Sequence, residues 1–255
     1  MSSRNTKDFK GFLKQFSRPK ATTVFSEIPP SSHSSAVRSL ATDEEILARG
    51  ALPDYIRHGL DLLIVGINPG FYSAKEGHYY AGPGNHFWKC LYQAQLVPEP
   101  ISWKDDHRLL EWNIGLTNIC ARATRGQADL SKTEIEDGAK LLAEKIRSFQ
   151  PKMVVFNGKG IYEIFIGGKI DHMGQQPSSI PGIEMFVMPS SSPRSSLYPT
   201  AKDKLPFYVR LKELIDSPAK RQSIEDFNDK RFRFEATTRD TGDNDLTQSD
   251  GEENA

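Results

Sequence analysis

Residues 62–90 read LLIVGINPGFYSAKEGHYYAGPGNHFWKC, and the way this stretch begins and breaks decides the fold. Leu62-Leu63-Ile64-Val65 is apolar at every position rather than at alternate ones. A strand buried on both faces has that pattern, and central parallel strands are buried on both faces. The run stops at Asn68-Pro69-Gly70, so Asn68 is delivered to the carboxyl end of the strand, where open α/β sheets place their ligand crevices. The residues beyond Gly70 are rich in glycine, aromatic rings and side-chain amides, with few acids and no cysteine–histidine cluster of metal-ligand type. That chemistry suits a flat, polar ligand held by stacking, such as a nucleobase.

Outward from this stretch the signals alternate in the βα manner. Asn85 can cap a helix carrying Phe87, Trp88, Leu91 and Tyr92, and a short helical piece around Leu109 leads to a second strand over 114–119. Ser131 with Glu134 forms a capping box, behind which Ile135, Ala139, Leu142, Ile146 and Phe149 keep helical spacing until Pro151. Met153-Val154-Val155-Phe156 is a third strand, turned by Asn157-Gly158 into a helix with Ile161, Ile164 and Phe165. Glu184 to Met188 is a fourth strand, and a last helix covers about 204–215. Strands alternating with helices predict an α/β fold, a three-layer α/β/α sandwich around a central, mainly parallel sheet.

The chain has 255 residues, 37% apolar and 26% charged, with a formal net charge of zero. One packed core with polar appendages fits those fractions. The zero hides a polarity. Arg4, Lys7, Lys10, Lys14, Arg18 and Lys20 crowd the start against Asp8, whereas Glu235, Asp240, Asp243, Asp245, Asp250, Glu252 and Glu253 crowd the end against Arg239. The organisation predicted is a basic tail over 1–47, a folded domain over 48–218 and a polar, acidic tail over 219–255. Cys90 and Cys120 have neither zinc spacing nor the density of a disulfide framework, which points to a reducing compartment. No apolar run approaches the roughly 20 residues that span a bilayer, and the N-terminus shows no secretory h-region.

Right-handed crossovers bring the loops after the four strands to one sheet edge. They are Asn68-Pro69-Gly70, the segment 118–124, Asn157-Gly158-Lys159, and Pro189-Ser190-Ser191-Ser192-Pro193-Arg194. The blocks GINPGF, GPGNHFWK, GLTNICARAT, FNGKGIYEIF and VMPSSSPRSSLYP, in this order over about 53–217, resemble the mismatch-specific thymine/uracil DNA glycosylases. The resemblance implies a uracil-DNA-glycosylase-like α/β/α sandwich. It also implies hydrolysis of an N-glycosidic bond without metal or cofactor, and base flipping from double-stranded DNA with a mismatched or damaged base.

On that resemblance Asn68 is the catalytic residue. Its amide can hold a water through the carbonyl oxygen but carries no charge and accepts no proton as a base, so slow turnover and a preference for good leaving groups are expected. Tyr80 resembles the aromatic that stacks on the flipped base, Asn85 can meet the base edge or cap its helix, and the N–H of Phe71 can meet a base carbonyl. Asn118 resembles a second pocket amide and Thr124 a pocket-wall hydroxyl, while Arg122 is read as neutralising charge locally. Tyr79 stands where vertebrate members of the family often carry the second of two histidines, after His78. Losing that histidine lowers the expectation for thymine relative to uracil. Lys159 at a helix start, and Ser190, Ser191 and Ser192, are expected on DNA phosphates. Arg194 resembles the wedge that fills the vacated stack, and the carbonyls of Pro193 and Pro199 match positions that face the guanine opposite. Asp105-Asp106-His107 reads as charges at a helix start.

Two other classes compete. A mismatch-binding or recruiting module would hold DNA without hydrolysis, consistent with the neutral Asn68 and the long tails. A nucleotide-binding enzyme fits poorly, because there is no Walker pattern and Gly82-Pro83-Gly84 lacks the third glycine of a dinucleotide fingerprint. The leading reading is a monomeric, monofunctional glycosylase of the nucleus, with no membrane contact, serving abasic-site repair enzymes and meeting further proteins through its tails.

Overall fold

A computed structural model of the protein describes residues 42–217, so the expectations for most of the two tails lie outside the described residues. The elements in chain order are α1 (Asp43–Arg49), β1 (Leu62–Gly66), α2 (Phe71–Glu76), α3 (Phe87–Gln93), a 3-10 helix (Trp103–Trp112), β2 (Ile114–Asn118), α4 (Lys132–Phe149), β3 (Met153–Asn157), α5 (Lys159–Ile166), β4 (Gly174–Gln176), β5 (Glu184–Met188) and α6 (Ala201–Asp216).

The sheet has the order β2-β1-β3-β5-β4. Its first four members are parallel, in register through Ile64↔Leu116, Ile64↔Val155 and Val155↔Phe186. Strands β1 and β3 are buried at every position, as their unbroken apolar runs predict. Helices α3 and α6 pack together, as do α4 and α5, which gives the three-layer α/β/α sandwich. The chain leaves β1 towards β2 on one side and returns to β3 on the other. Loops that diverge from such a switch point open a crevice between them. Leu62, Leu63, Ile64, Val65, Val154, Val155 and Phe156 are all fully buried, each worth about 1.5–3 kcal/mol of transfer free energy. Leu63→Ala would forfeit about 2–5 kcal/mol.

The structure corrects three expectations. The sheet has five strands, because Gly174–Gln176 pairs antiparallel with β5 at the edge. Gln175 and Gln176 are 5% exposed, so the strand is held by its ladder and side-chain bonds and offers no apolar pattern to read. The boundary drawn at 47/48 falls inside α1, a helix that Thr42 and Glu45 start with a capping box. The last helix begins earlier than 204, at Ala201, where Thr200 and Asp203 make another such box. The predicted box of Ser131 and Glu134 is present, and α4 then runs until Gln150, in the left-handed region, and Pro151 end it. Gly138 lets this helix touch the chain leaving β2. A Cβ there would stand 2.5 Å from the Ile119 carbonyl oxygen, so a larger residue would push α4 and its Glu134 away from that loop.

Candidate active site

The loops after β1, β2, β3 and β5 enclose an open cavity of about 610 Å³. Its wall contains Asn68, Phe71, Tyr72, Tyr79, Tyr80, Asn85, Asn118, Thr124, Asn157 and 190–194, but no carboxylate and no imidazole. The charged side chains of the wall are Arg125 and Arg194. Any chemistry that these described residues perform therefore lacks a side-chain general base, and any ligand drawn to the mouth by charge is an anion.

Asn68 is held in one orientation by its neighbours. The first two loops continue the β1–β2 ladder beyond the strands: Ile119 N–H donates to Gly66 O, Cys120 N–H to Ile67 O and Thr124 N–H to Pro69 O, at 3.0, 2.8 and 3.1 Å. This zipper carries Arg122 and Thr124 to Asn68. The Asn68 Nδ2 donates to the Arg122 carbonyl at 2.9 Å and to Thr124 Oγ1 at 2.7 Å. Thr124 Oγ1 in turn donates to Gly126 O at 2.8 Å. A carbonyl only accepts, and the threonine proton is committed to Gly126, so the network fixes the amide with its nitrogen inward. Oδ1 is left as the acceptor for a water.

Thr124 thus differs from its expected role. It is 3% exposed, and its hydroxyl serves Asn68 rather than the ligand. Arg122 neutralises charge locally, as expected. Its Nε and Nη2 bind the two oxygens of Glu134 at 2.6 and 2.9 Å, and Nη2 also donates to Asp129 O at 2.9 Å. The guanidinium and the Ser131 cap hold the Glu134 carboxyl down at about 2.

The aromatic side of the wall has its own supports. Tyr80 takes a positive φ of 52°, and its ring stacks on Phe87, centroids 4.0 Å apart at 28°. Phe87 is fully buried, which makes Tyr80 a backed platform at the cavity. Burial drives the Tyr80 hydroxyl up to about 12, so it stays neutral. Gly66 provides the space behind it. A Cβ at Gly66 would lie 2.4 Å from Asn118 Oδ1 and 3.5 Å from the Tyr80 hydroxyl, so a side chain there would expel the Asn118 amide. The N-cap of α3 is His86, without a side-chain cap bond, rather than Asn85; one residue earlier, Asn85 accepts from Phe87 N–H through Oδ1 at 3.1 Å, and this leaves its amino group for the cavity. Phe71 opens α2, whose first turn has no side-chain cap. Arg125 lies over its ring at 5.6 Å and pairs with Asp43 of α1 at 2.7 Å.

Several expectations need correction. Tyr79 borders the cavity from within the core, 2% exposed against Tyr55; a phenol packed there is in no position to replace a histidine on the base. Its backbone N–H donates to Asp106 Oδ2 at 2.8 Å. Asp106 lies in the first turn of its helix, as read, but does not face solvent. It is fully buried and also accepts from the Tyr55 hydroxyl at 3.1 Å and contacts His78 Nδ1 at 2.9 Å, which anchors the segment leading to Tyr80. Asp105 does sit at the helix start, in a capping box with Ser102. Ser191 is 1% exposed and paired twice with Asn157: Nδ2 of Asn157 donates to Ser191 Oγ, and Ser191 N–H to Asn157 Oδ1, both at 2.9 Å. Held in this way and buried, it braces the loop.

Ser190, Ser192, Pro193 and Arg194 do line the mouth, with Pro193 and Arg194 exposed. Pro199 is exposed but outside the cavity wall, and Lys159, also outside it, lies 3.6 Å from Glu163 one turn along α5. The sequence reading did not reach the bracing roles of Asp106 and Asn157. The only sequence signal for Asn157 was an amide ending an apolar strand ahead of a serine run, and Asp106 gave none. Among the described residues no cluster of His, Cys, Asp or Glu could hold a metal ion, and no helix is long and apolar enough to cross a membrane.

Comparison with known proteins adds lineage to this geometry. Residues 53–215 match the family model described as the uracil DNA glycosylase superfamily. A G/U mismatch-specific uracil DNA glycosylase of Schizosaccharomyces pombe is 37% identical over 161 residues, which cover 59% of this chain and 50% of that protein. The chain thus spans about half the length of this curated relative. A solution NMR structure of a candidate uracil DNA glycosylase from Methanosarcina acetivorans is 22% identical, with a TM-score of 0.43 over 64% of this chain and 98% of that one.

Proposed function

This chain belongs to the uracil DNA glycosylase superfamily, and from that premise we propose that it hydrolyses the N-glycosidic bond of uracil, and more slowly thymine, paired with guanine in duplex DNA. Hypoxanthine and ethenocytosine are further candidate substrates. The observation that carries this reading is the Asn68 amide, pinned through Nδ2 by Arg122 O and Thr124 Oγ1 in a wall without carboxylate or imidazole.

The mechanism derives from what that wall can do. The target nucleotide is flipped into the cavity, its base lying on Tyr80 with the amides of Asn85 and Asn118 at its polar edge. Asn68 Oδ1 accepts a hydrogen bond from a water and aims its lone pair at the anomeric carbon. As the glycosidic bond lengthens, positive charge grows on the sugar and negative charge on the departing base. Donors already in place stabilise the base anion without reorganising. The water adds, its proton passes to solvent, and an abasic site with both phosphodiester bonds intact remains. No side chain of the wall takes that proton, so the rate depends on how well the base carries charge. Uracil is the better leaving group, because the thymine methyl raises the energy of the anion and must also fit the cavity. Arg194 enters the emptied stack and the serine-lined loop approaches the phosphates. A nuclear location, with hand-over of the abasic product to other repair enzymes, completes this reading.

The test is single-turnover base release from duplexes carrying uracil, thymine, hypoxanthine or ethenocytosine opposite each normal base. Uracil opposite guanine should be released fastest with the strand uncut. A thymine rate equal to that of uracil contradicts the leaving-group argument. Binding without any release would make the chain a mismatch-recognition module instead.

A further inference from the structure

Lys204 is buried without a carboxylate partner. It sits in the first turn of α6, is 0% exposed, and among the described residues makes no ion pair. Its ammonium donates to the Ser192 carbonyl at 2.7 Å and meets Nδ1 of His86 at 2.9 Å. Removing an ammonium from water is costly even when its protons find acceptors, so two neutral acceptors are a weak reason to keep a lysine there for stability alone. The connections say more. His86 precedes α3, directly after Asn85, and its backbone N–H donates to Ser191 O at 3.0 Å. Ser192 accepts the Arg194 backbone N–H on its hydroxyl at 3.2 Å. One buried nitrogen therefore ties together α6, the start of α3 with its base-edge amide, and the loop that carries Arg194.

We propose that Lys204 and His86 form a latch that fixes the 190–199 loop against the base-binding wall and so positions Arg194 for insertion into a duplex. This rests on the reading of the cavity as a base-excision site. Neither residue touches the substrate; both act through the loop.

The latch has a built-in proton dependence. Lys204 needs a lone pair on Nδ1, which neutral imidazole supplies and imidazolium does not. Burial, then the charges of Lys204 and Lys89, hold His86 below its ordinary range, with Asp203 opposing. Burial likewise pulls Lys204 below the usual lysine range, against Cys90 and Asp203. The Cys90 thiol is driven up to about 11, so it stays neutral while His86 titrates. At neutral pH the ring accepts and the latch is closed. As the pH falls through the lowered value of His86, Nδ1 becomes a donor facing a cation, and the latch opens.

The experiment uses the full chain and single-turnover uracil release, from a G·U duplex and from the same lesion in a single strand, between pH 5.5 and 8.5. K204M and H86F should lose about tenfold or more on the duplex but no more than about threefold on the single strand, the scale of a lost charge-assisted hydrogen bond. The wild-type ratio of duplex to single-strand rate should fall in acid. In H86Q, whose amide oxygen accepts from Lys204 at every pH, that fall should vanish. Equal losses on both substrates, or an acid limb that survives in H86Q, overturn the latch. NMR titration of His86 without DNA gives a second readout, with the ring titrating below free imidazole in the wild type and moving towards it in K204M. An unshifted His86 overturns the latch even if base release is normal. A shifted His86 in a protein that releases no base supports the contact and sinks the excision reading. Should K204M fail to fold, H86F and H86Q carry the kinetic readout, and the titration of His86 in the wild type carries the other.

Discussion

The two sides of the cavity are built on different terms. On the side of β1 and β2, the loops run as an extension of the sheet and both N–H bonds of Asn68 are taken. On the side of β5, the loop is braced at its root, with Ser191 1% exposed, but ends in exposed Pro193, Arg194 and Leu197, the last 59% exposed. The first arrangement holds one atom still, which placing a water requires, since small displacements of a reacting group cost large factors in rate. The second offers reach, which entering a duplex requires. Chemistry and DNA grip can therefore be impaired separately.

The largest effect should come from the rigid side. Asn68→Ala should lower single-turnover uracil release on the order of 10³-fold while duplex affinity changes little, as expected for a group that positions the attacking water. Near-wild-type release by this variant would move the chemistry elsewhere. Next, on the exposed side, Arg194→Ala should lose about 10- to 100-fold on a well-stacked duplex and little on a single strand, because a wedge offsets the few kcal/mol of unstacking. Arg194→Lys should restore charge but only part of the rate, having no planar fork. Equal losses on both substrates would reduce Arg194 to a phosphate contact. A base analogue placed beside the lesion would report flipping by its fluorescence.

Within the rigid side the effects shrink with distance from Asn68. Thr124→Val keeps the shape but removes the hydroxyl between Asn68 and Gly126, and should slow release by about tenfold, the value of one such bond. Its loss should fall on the rate of bond cleavage and spare duplex binding. The smallest effect should be that of Glu134→Gln, read as stability. The Glu134 carboxyl, ordinarily near 4.5, is held at about 2 in the folded chain. A lowered acid stabilises the fold fully above its unfolded value and loses that contribution as the pH falls through the folded one. The wild type should therefore exceed Glu134→Gln in urea midpoint at pH 7, and the difference should close between about pH 4.5 and pH 2. The pair is solvent-exposed, so the difference should also shrink in high salt.

Legibility in the sequence tracked the same division. The runs at Leu62, Met153 and Glu184 declared their strands, because a strand sealed on both faces must be apolar at successive positions. Ser131 and Glu134 declared their helix start, because the capping box is local. β4 stayed hidden, since Gln175 and Gln176 show no periodicity. The site was legible as a set of loop residues, and Asn68, Tyr80, Asn85 and Asn118 all reach the cavity. The roles of Thr124, Tyr79 and Ser191 were not legible, because a hydroxyl or a ring facing inward is spelled with the same letter as one facing a ligand.

Residue type and chain neighbours were enough to set the strand–helix alternation, the sheet edge that carries the polar loops, and the lack of an acid or histidine beside Asn68 in its loop. Tertiary packing settled which way the Asn68 amide faces, that Asp106 is a buried anchor, and that Lys204 of α6 reaches His86 and Ser192. Those outcomes depend on atoms 12 to 118 residues apart meeting within hydrogen-bond distance. No local pattern encodes such meetings, because the packing of whole layers brings them about.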